Sequence, residues 1–355
     1  MNVLSVQAEL KNRRGHCMAS FNEFLVIYGG RCSSSRTLYN ELWTYNTITD
    51  TWKQYFAPIE ADDTCVSSSI CAVENLIYIF GGRGFSLFDR ATNLLLSFDV
   101  INKTWRTLSP SIDDYDPDLP PPLYGSGLFY HSGSLYVLGG VDNYMVVFKM
   151  YRFCLKTLTW SLVGQKEPTP SLDYRIFGTV FRDELYIFGG PAEIETNKFA
   201  SVNIFKFSSY TWSTRATNVK EKWDPNIRIH DLYTFSSHFG YLSRGKDLTG
   251  YNSDIWRIDL ETLHWCKLDY TFPSGLILHG MTVVNGCYLY SYGGVDDGVV
   301  HSNILRRIIL QPPTLYSLCL GSINRLLKSK TCKKLVPPSI LDDLNSNVND
   351  QYFDV

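Results

Sequence analysis

Paired cysteines are missing from this chain. Its nine cysteines are an odd number, and none stands in a CxxC pair. A disulfide framework or a structural zinc site needs closer, paired thiols, so neither is expected. No apolar run is long enough to cross a bilayer. The N-terminal stretch MNVLSVQAELKNRR has no apolar core of the kind a signal peptide needs. Neither sign of charge dominates: 33 Lys and Arg stand against 35 Asp and Glu, a formal net charge of −2. That excludes a general attraction to nucleic acid or anionic lipid. There is no glycine-rich phosphate loop, no paired-histidine helix and no serine nucleophile elbow. The reading is a soluble, non-catalytic protein of a reducing compartment, cytoplasm or nucleus, with no cofactor.

Aromatic residues, by contrast, are abundant. They make up 14% of the chain, with 23 Tyr and 20 Phe, and they favour strands. The 355 residues, 45% apolar and 19% charged, suit one large globular β domain or two ordinary ones. An internal repeat organises them. The segments LVIYGG, LIYIFGG, LYVLGG, LYIFGG and LYSYGG end at Gly30, Gly82, Gly140, Gly190 and Gly294. A degenerate copy, GYLSRG, ends at Gly245. Each is a buried strand closed by glycines that permit a tight turn. A tryptophan follows at a nearly fixed distance: Trp52, Trp105, Trp160, Trp212 and Trp265. A ring recurring at that point is expected to wedge between neighbouring sheets.

The double glycine and the spaced tryptophan resemble the Kelch repeat, over roughly residues 1 to 310. The resemblance implies an all-β fold, a six-bladed β-propeller of four-stranded blades over residues 1–311, followed by a short α-helical segment. After Gly294 only NILRRIIL precedes Pro312-Pro313, so the last blade is short of a strand. The apolar N-terminal NVLSVQ is expected to fill that place, since an open ring would leave two sheet edges exposed.

Residues 312–344 read differently. Thr314 is a plausible helix cap, and Leu315, Leu318, Cys319, Ile323, Leu326 and Leu327 recur at spacings of three and four. A second short helix is expected from Pro337 or Pro338, and residues 345–355 form a polar tail. Such a stripe either packs on the propeller or stays free for a partner. Leu315-x-x-x-Cys319-x-x-x-Ile323 resembles the BC box, through which receptor subunits bind Elongin C and, with it, Elongin B. Val336-Pro337-Pro338-Ser339-Ile340 resembles the Cullin-2 box, 22 residues on from Leu315 to Pro337. Together they imply a substrate-recognition subunit of a Cullin-2 RING ubiquitin ligase. Leu315, Leu318, Cys319 and Ile323 would meet Elongin C by helix-in-groove packing. Val336, Pro337 and Ile340 would meet Cullin-2, which carries the RING subunit.

Kelch propellers followed by these boxes are similar to receptors that read C-terminal degrons, especially chains ending in glycine. A free carboxylate suits the arginine fork. Arg228 and Ser253 match the family's carboxylate contacts, and Arg175 is the corresponding entrance residue one blade earlier. Tyr174, Tyr124 and Tyr251 would supply aromatic walls. Arg244 is a further ligand, where Ser243-Arg244-Gly245 departs from the double glycine. Arg31 and Arg83, after their double glycines, are further candidates. The plainer reading of each entrance arginine is a structural tie to nearby backbone; for Arg31 and Arg83 it is a solvated loop. Two other functions compete. A copper oxidase of the galactose type needs histidine ligands, whereas the seven histidines are scattered over different repeats. A plain Kelch scaffold, binding actin or another protein, would leave residues 314–344 without a ligase role.

Overall fold

A computed structural model describes residues 3–7, 10–86, 89–166, 168–172, 175–189, 200–219, 232–243, 245–247, 250–297 and 300–328. The chain forms a six-bladed β-propeller with a short C-terminal helix. The first blade is built from Cys17–Phe21, Phe24–Tyr28, Glu41–Asn46 and Thr51–Phe56, and the second from Ser69–Val73, Leu76–Phe80, Leu95–Asp99 and Thr104–Ser109. Gly127–His131, Ser134–Leu138, Met150–Cys154 and Thr159–Leu162 make the third. The fourth comprises Phe177–Phe181, Glu184–Phe188, Ser201–Lys206 and Thr211–Ala216. In the fifth, Leu232–Phe235, Phe239–Ser243, Asp254–Asp259 and His264–Thr271 gain an outer parallel strand, Asn218–Val219. The sixth joins both ends of the propeller. Gly280–Val284, Tyr288–Tyr292 and Ile304–Ile309 come from the C-terminal side, and Val3–Gln7 pairs antiparallel along Ile304–Ile309, from Val3 opposite Ile308 to Gln7 opposite Ile304.

The core is distributed, not central. Six apolar clusters are found among the described residues, each at one junction between neighbouring blades. The aromatic residue just before a double glycine meets the tryptophan of the next blade. Tyr28 packs on Trp105 with centroids 6.3 Å apart, Phe80 on Trp160 at 5.8 Å, Phe188 on Trp265 at 6.3 Å, and Tyr292 on Trp52 at 6.4 Å. The repeat spacing thus places each large ring in the seam where it buries most area.

The double glycines are the stitch between blades. Gly81 and Gly82 adopt φ of +65° and +112°, and a Cβ on Gly81 would run into the carbonyl oxygen of Leu123 in the next blade. Without side chains, the backbone comes close enough for the amide of Gly82 to donate to that carbonyl at 2.8 Å. Gly30 donates likewise to Cys65 O at 2.9 Å, and Gly294 to Arg13 O at 3.0 Å across the junction of sixth and first blades. There the Tyr292 hydroxyl also reaches the carbonyls of Leu10 and Lys11 at 3.0 and 2.9 Å. Arg13, fully buried, pairs with Glu41 at 2.7 Å and holds that carboxyl below its usual range against the burial that would raise it.

Beyond the sixth blade, Leu310 N donates to Cys287 O at 2.8 Å. The helix Leu315–Lys328 then begins. The eight cysteines of the described residues are all free thiols, and no helix among the described residues is long and apolar enough to cross a membrane.

Candidate functional site: the channel mouth and the C-terminal helix

The first strand of every blade faces the axis, and neighbouring first strands touch in a closed ring. They enclose a cavity of about 370 Å³. Small residues line it because the strands converge there. Cβ atoms on Gly127, Gly178 and Gly280 would each come within 2.5 Å of a neighbouring atom. The channel hydroxyls are largely satisfied from within: Ser69 Oγ donates to Ser126 O at 2.5 Å, and Ser20 Oγ to Val283 O at 2.6 Å. Backbone bonds run along the rim, from Ile176 N to Gly125 O, Gly125 N to Ser67 O and Ser67 N to Gly15 O.

Two histidines sit at this mouth, His16 entering the first blade and His279 the sixth. Both are buried, and none of their ring nitrogens has a hydrogen-bond partner among the described residues. The Tyr292 backbone lies near His16, short of hydrogen-bond geometry. Burial, then the charges of Arg13 and His279, pushes His16 down to about 3. Burial, then Arg306 and Arg175, does the same to His279, also to about 3. Both imidazoles are therefore neutral at physiological pH, and the cation among the cavity's lining residues is Arg175.

Of the residues expected to hold a client terminus, Arg175 lines the cavity itself, beside Ile176. Tyr124 enters the third blade next to the lining residue Gly125, and its ring is covered by the Arg83 guanidinium at 4.9 Å. Ser253 is half-buried in the fifth blade's loop, its carbonyl accepting from Phe272 N at 2.9 Å. Tyr251 is 36% exposed on a small hairpin, with the Lys246 ammonium 5.0 Å from its ring. Neither Ser253 nor Tyr251 lines the cavity. Arg228, Tyr174 and Arg244 lie outside the described residues, as do Val336, Pro337 and Ile340.

Arg83 is not on a solvated loop. It is 6% exposed, held by the pairing of its backbone with Val66, at 2.9 and 3.0 Å, and by the Tyr124 ring. Arg31 is half-buried over Phe85 at 4.8 Å. Arg14, which the sequence reading passed over, is bonded to Arg31 through both backbones. A signal for it existed: Arg14-Gly15-His16 repeats the Arg-x-His of Arg228-Ile229-His230. The hairpin pairing Val141–Asp142 with Met145–Val146 was also missed. It bears exposed Tyr144 and Met145, 60% and 71% accessible. Among the described residues, no three His, Cys, Asp or Glu side chains gather where they could hold a metal ion.

On the helix, Leu315 is 77% and Leu318 50% exposed, Cys319 is exposed, and Ile323 is half-buried. Leu320 is buried, about 140° around the helix from Leu315. Ile323 lies between the two directions. The helix therefore has an inward side near Leu320 and an outward apolar stripe through Leu315, Leu318 and Cys319.

Residues 2–140 and 131–308 match the KLHDC2/KLHL20/DRC7 Kelch-repeats domain. Kelch domain-containing protein 10 of Rattus norvegicus is 26% identical over 329 residues, covering 86% of this chain and 77% of that protein. The Homo sapiens protein of that name is also 26% identical, over 86% of this chain and 72% of its own length. The Drosophila melanogaster homologue is 24% identical over 351 residues, covering 88% and 57%.

Proposed function

Because the chain belongs to the KLHDC2/KLHL20/DRC7 Kelch-repeats domain family, we propose that it is a protein-interaction module of one particular kind. It is the substrate-recognition subunit of a Cullin-2–Elongin B/C ubiquitin ligase, binding client C-termini at the channel mouth. The observation that carries this reading is the outward stripe of Leu315, Leu318 and Cys319 on a helix that follows a closed propeller. Every blade seam already has its own core, so the stripe serves no junction. Apolar side chains held out at spacings of three and four suit a groove on a partner. A cysteine there packs without needing a hydrogen bond. Arg175 in the cavity wall supports an anionic client group.

The propeller does no bond chemistry in this reading. It raises the effective concentration of a client beside the ubiquitin-loaded enzyme. Purification of the full chain with Elongins B and C tests it. Leu315→Ala with Cys319→Ala is expected to abolish co-purification and to leave stability within about 0.5 kcal/mol, because both side chains are exposed. Retention of both Elongins by the double variant would overturn the ligase reading and leave a Kelch scaffold. For the pocket, Arg228→Ala and amidation of the client's last residue are each expected to weaken peptide binding. Equal binding of acid and amide forms would remove the carboxylate argument.

A further inference from the structure

The hairpin of the third blade turns through Asn143 and Tyr144, with φ of +44° and +69°. Positive φ at both central residues belongs to the hairpin turn that favours Asn-Gly, and a tyrosine in glycine's place bears backbone strain. Folding alone would put glycine at 144. Instead the tip holds Tyr144 and Met145 out in solvent, and Phe148, just beyond the hairpin, is exposed as well. Tyr115, in the loop that leads into this blade, is 88% accessible. The hairpin in the same position of the first blade, Arg31–Cys32 with Thr37–Leu38, turns through the polar run Ser33-Ser34-Ser35-Arg36. The apolar tip is thus a property of this blade and not of the repeat.

The exposed patch continues from the channel mouth. Val141 N donates to Tyr124 O at 2.9 Å, and Tyr124 adjoins the lining residue Gly125. The loop 112–118 is fixed to the same end of the blade, where the Asp118 carboxylate accepts Leu162 N at 3.0 Å. Burial, then the charges of Tyr115 and Asp142, pushes the Tyr151 phenol up, so loop and hairpin both lie within electrostatic reach of that residue. The loop carries four exposed carboxylates, Asp113, Asp114, Asp116 and Asp118. Arg90 pairs with Asp113, and Lys149 stands beside Phe148. Among the described residues the other three aspartates make no ion pair, so the neighbourhood stays acidic. Large apolar side chains held out beside carboxylates suit a segment that carries both apolar and cationic residues. We propose that the tip of this hairpin, with Phe148 and Tyr115, is a docking surface for the client segment immediately upstream of its terminus, and that this segment combines large apolar residues with lysine or arginine. This rests on the client-terminus reading above.

The test uses the full chain with Elongins B and C and a set of fluorescent decapeptides. The set carries every amino acid at the last position, as free acid and as amide. Upstream stand two Leu and two Lys, with Ser replacing Leu in one control and Glu replacing Lys in the other. Wild type is expected to bind the Leu-Lys peptides at least about tenfold more tightly than either control, and the Lys preference to shrink as salt rises. Tyr144→Gly with Met145→Ser restores the ordinary Asn-Gly turn. It is expected to melt no lower than wild type, yet to erase the preference for Leu over Ser while acids still outbind amides. Asp114→Asn with Asp116→Asn is expected to shrink the preference for Lys over Glu and leave that for Leu. Absence of either preference in wild type, or a Leu preference intact in the hairpin variant, overturns this surface alone. Self-association of wild type that the hairpin variant abolishes assigns the surface to a second copy and overturns it too. Equal binding of acid and amide with the Leu preference retained overturns the client-terminus reading instead, and no binding of any peptide overturns both.

Discussion

His16 and His279 are buried titratable groups whose protonation the fold constrains sharply. Each is buried and has a folded pKa near 3, against about 6.5 for an unfolded histidine. A pKa lowered by folding means that protonation favours the unfolded chain. Their contribution to stability is therefore complete above about pH 6.5 and is lost as pH falls from there toward 3. By pH 5 each is expected to have cost about 2 kcal/mol. Urea unfolding at pH 7 and pH 5 checks this: the midpoint drops on acidification, and His279→Gln removes roughly half the drop. An equal drop in wild type and variant would show that other groups drive it. The arginines teach a different lesson. That a loop following a double glycine carries Arg83 is plain in the sequence, but its burial depends on Tyr124, a residue of the next blade. Local spacing carries no trace of that contact.

The turn at the double glycine is the element on which blade-to-blade assembly depends. Gly81→Ala would place a methyl against the Leu123 carbonyl at a φ of +65°. Strain of this kind costs about 1–3 kcal/mol before any steric shift is added. Gly133 has a similar φ, +74°, but open space where a Cβ would go. Thermal unfolding is expected to show Gly81→Ala at least about 2 kcal/mol below wild type and Gly133→Ala about 1 kcal/mol below. Equal losses would mean that left-handed backbone, not close approach to the next blade, accounts for the motif. These elements were readable in advance: glycine pairs, tryptophans and apolar runs recur in order because every seam solves one packing problem. The binding site was less readable. Arg175 lies in the cavity wall, but Ser253, expected as a carboxylate contact, and Tyr251, expected as an aromatic wall, do not. Which loop residue points inward depends on the path of each loop, and loops have no period. The helical stripe was visible as a spacing, whereas its exposure depends on where the helix lies.

A ring of blades differs from a stack in having no natural end, and this molecule closes its ring with strands from both sides of the sequence. Val3–Gln7 pairs along Ile304–Ile309 and covers what would otherwise be the outer edge of the sixth blade. The same junction holds the Gly294–Arg13 backbone bond, the Tyr292 hydroxyl on Leu10 and Lys11, and the buried Arg13–Glu41 pair. Deleting residues 1–9 leaves Leu10 and the inner contacts in place and removes only the closing strand. An uncovered strand of that length offers unpaired amides and carbonyls to any other edge. The shortened chain is therefore expected to melt at least about 5 °C below the full chain and to self-associate as concentration rises. A peptide of residues 1–9 added in trans should restore part of the loss by refilling the edge. If the shortened chain stays monomeric and melts with the full one, the inner strands and seam clusters alone close the propeller, and the N-terminal strand is dispensable to the ring.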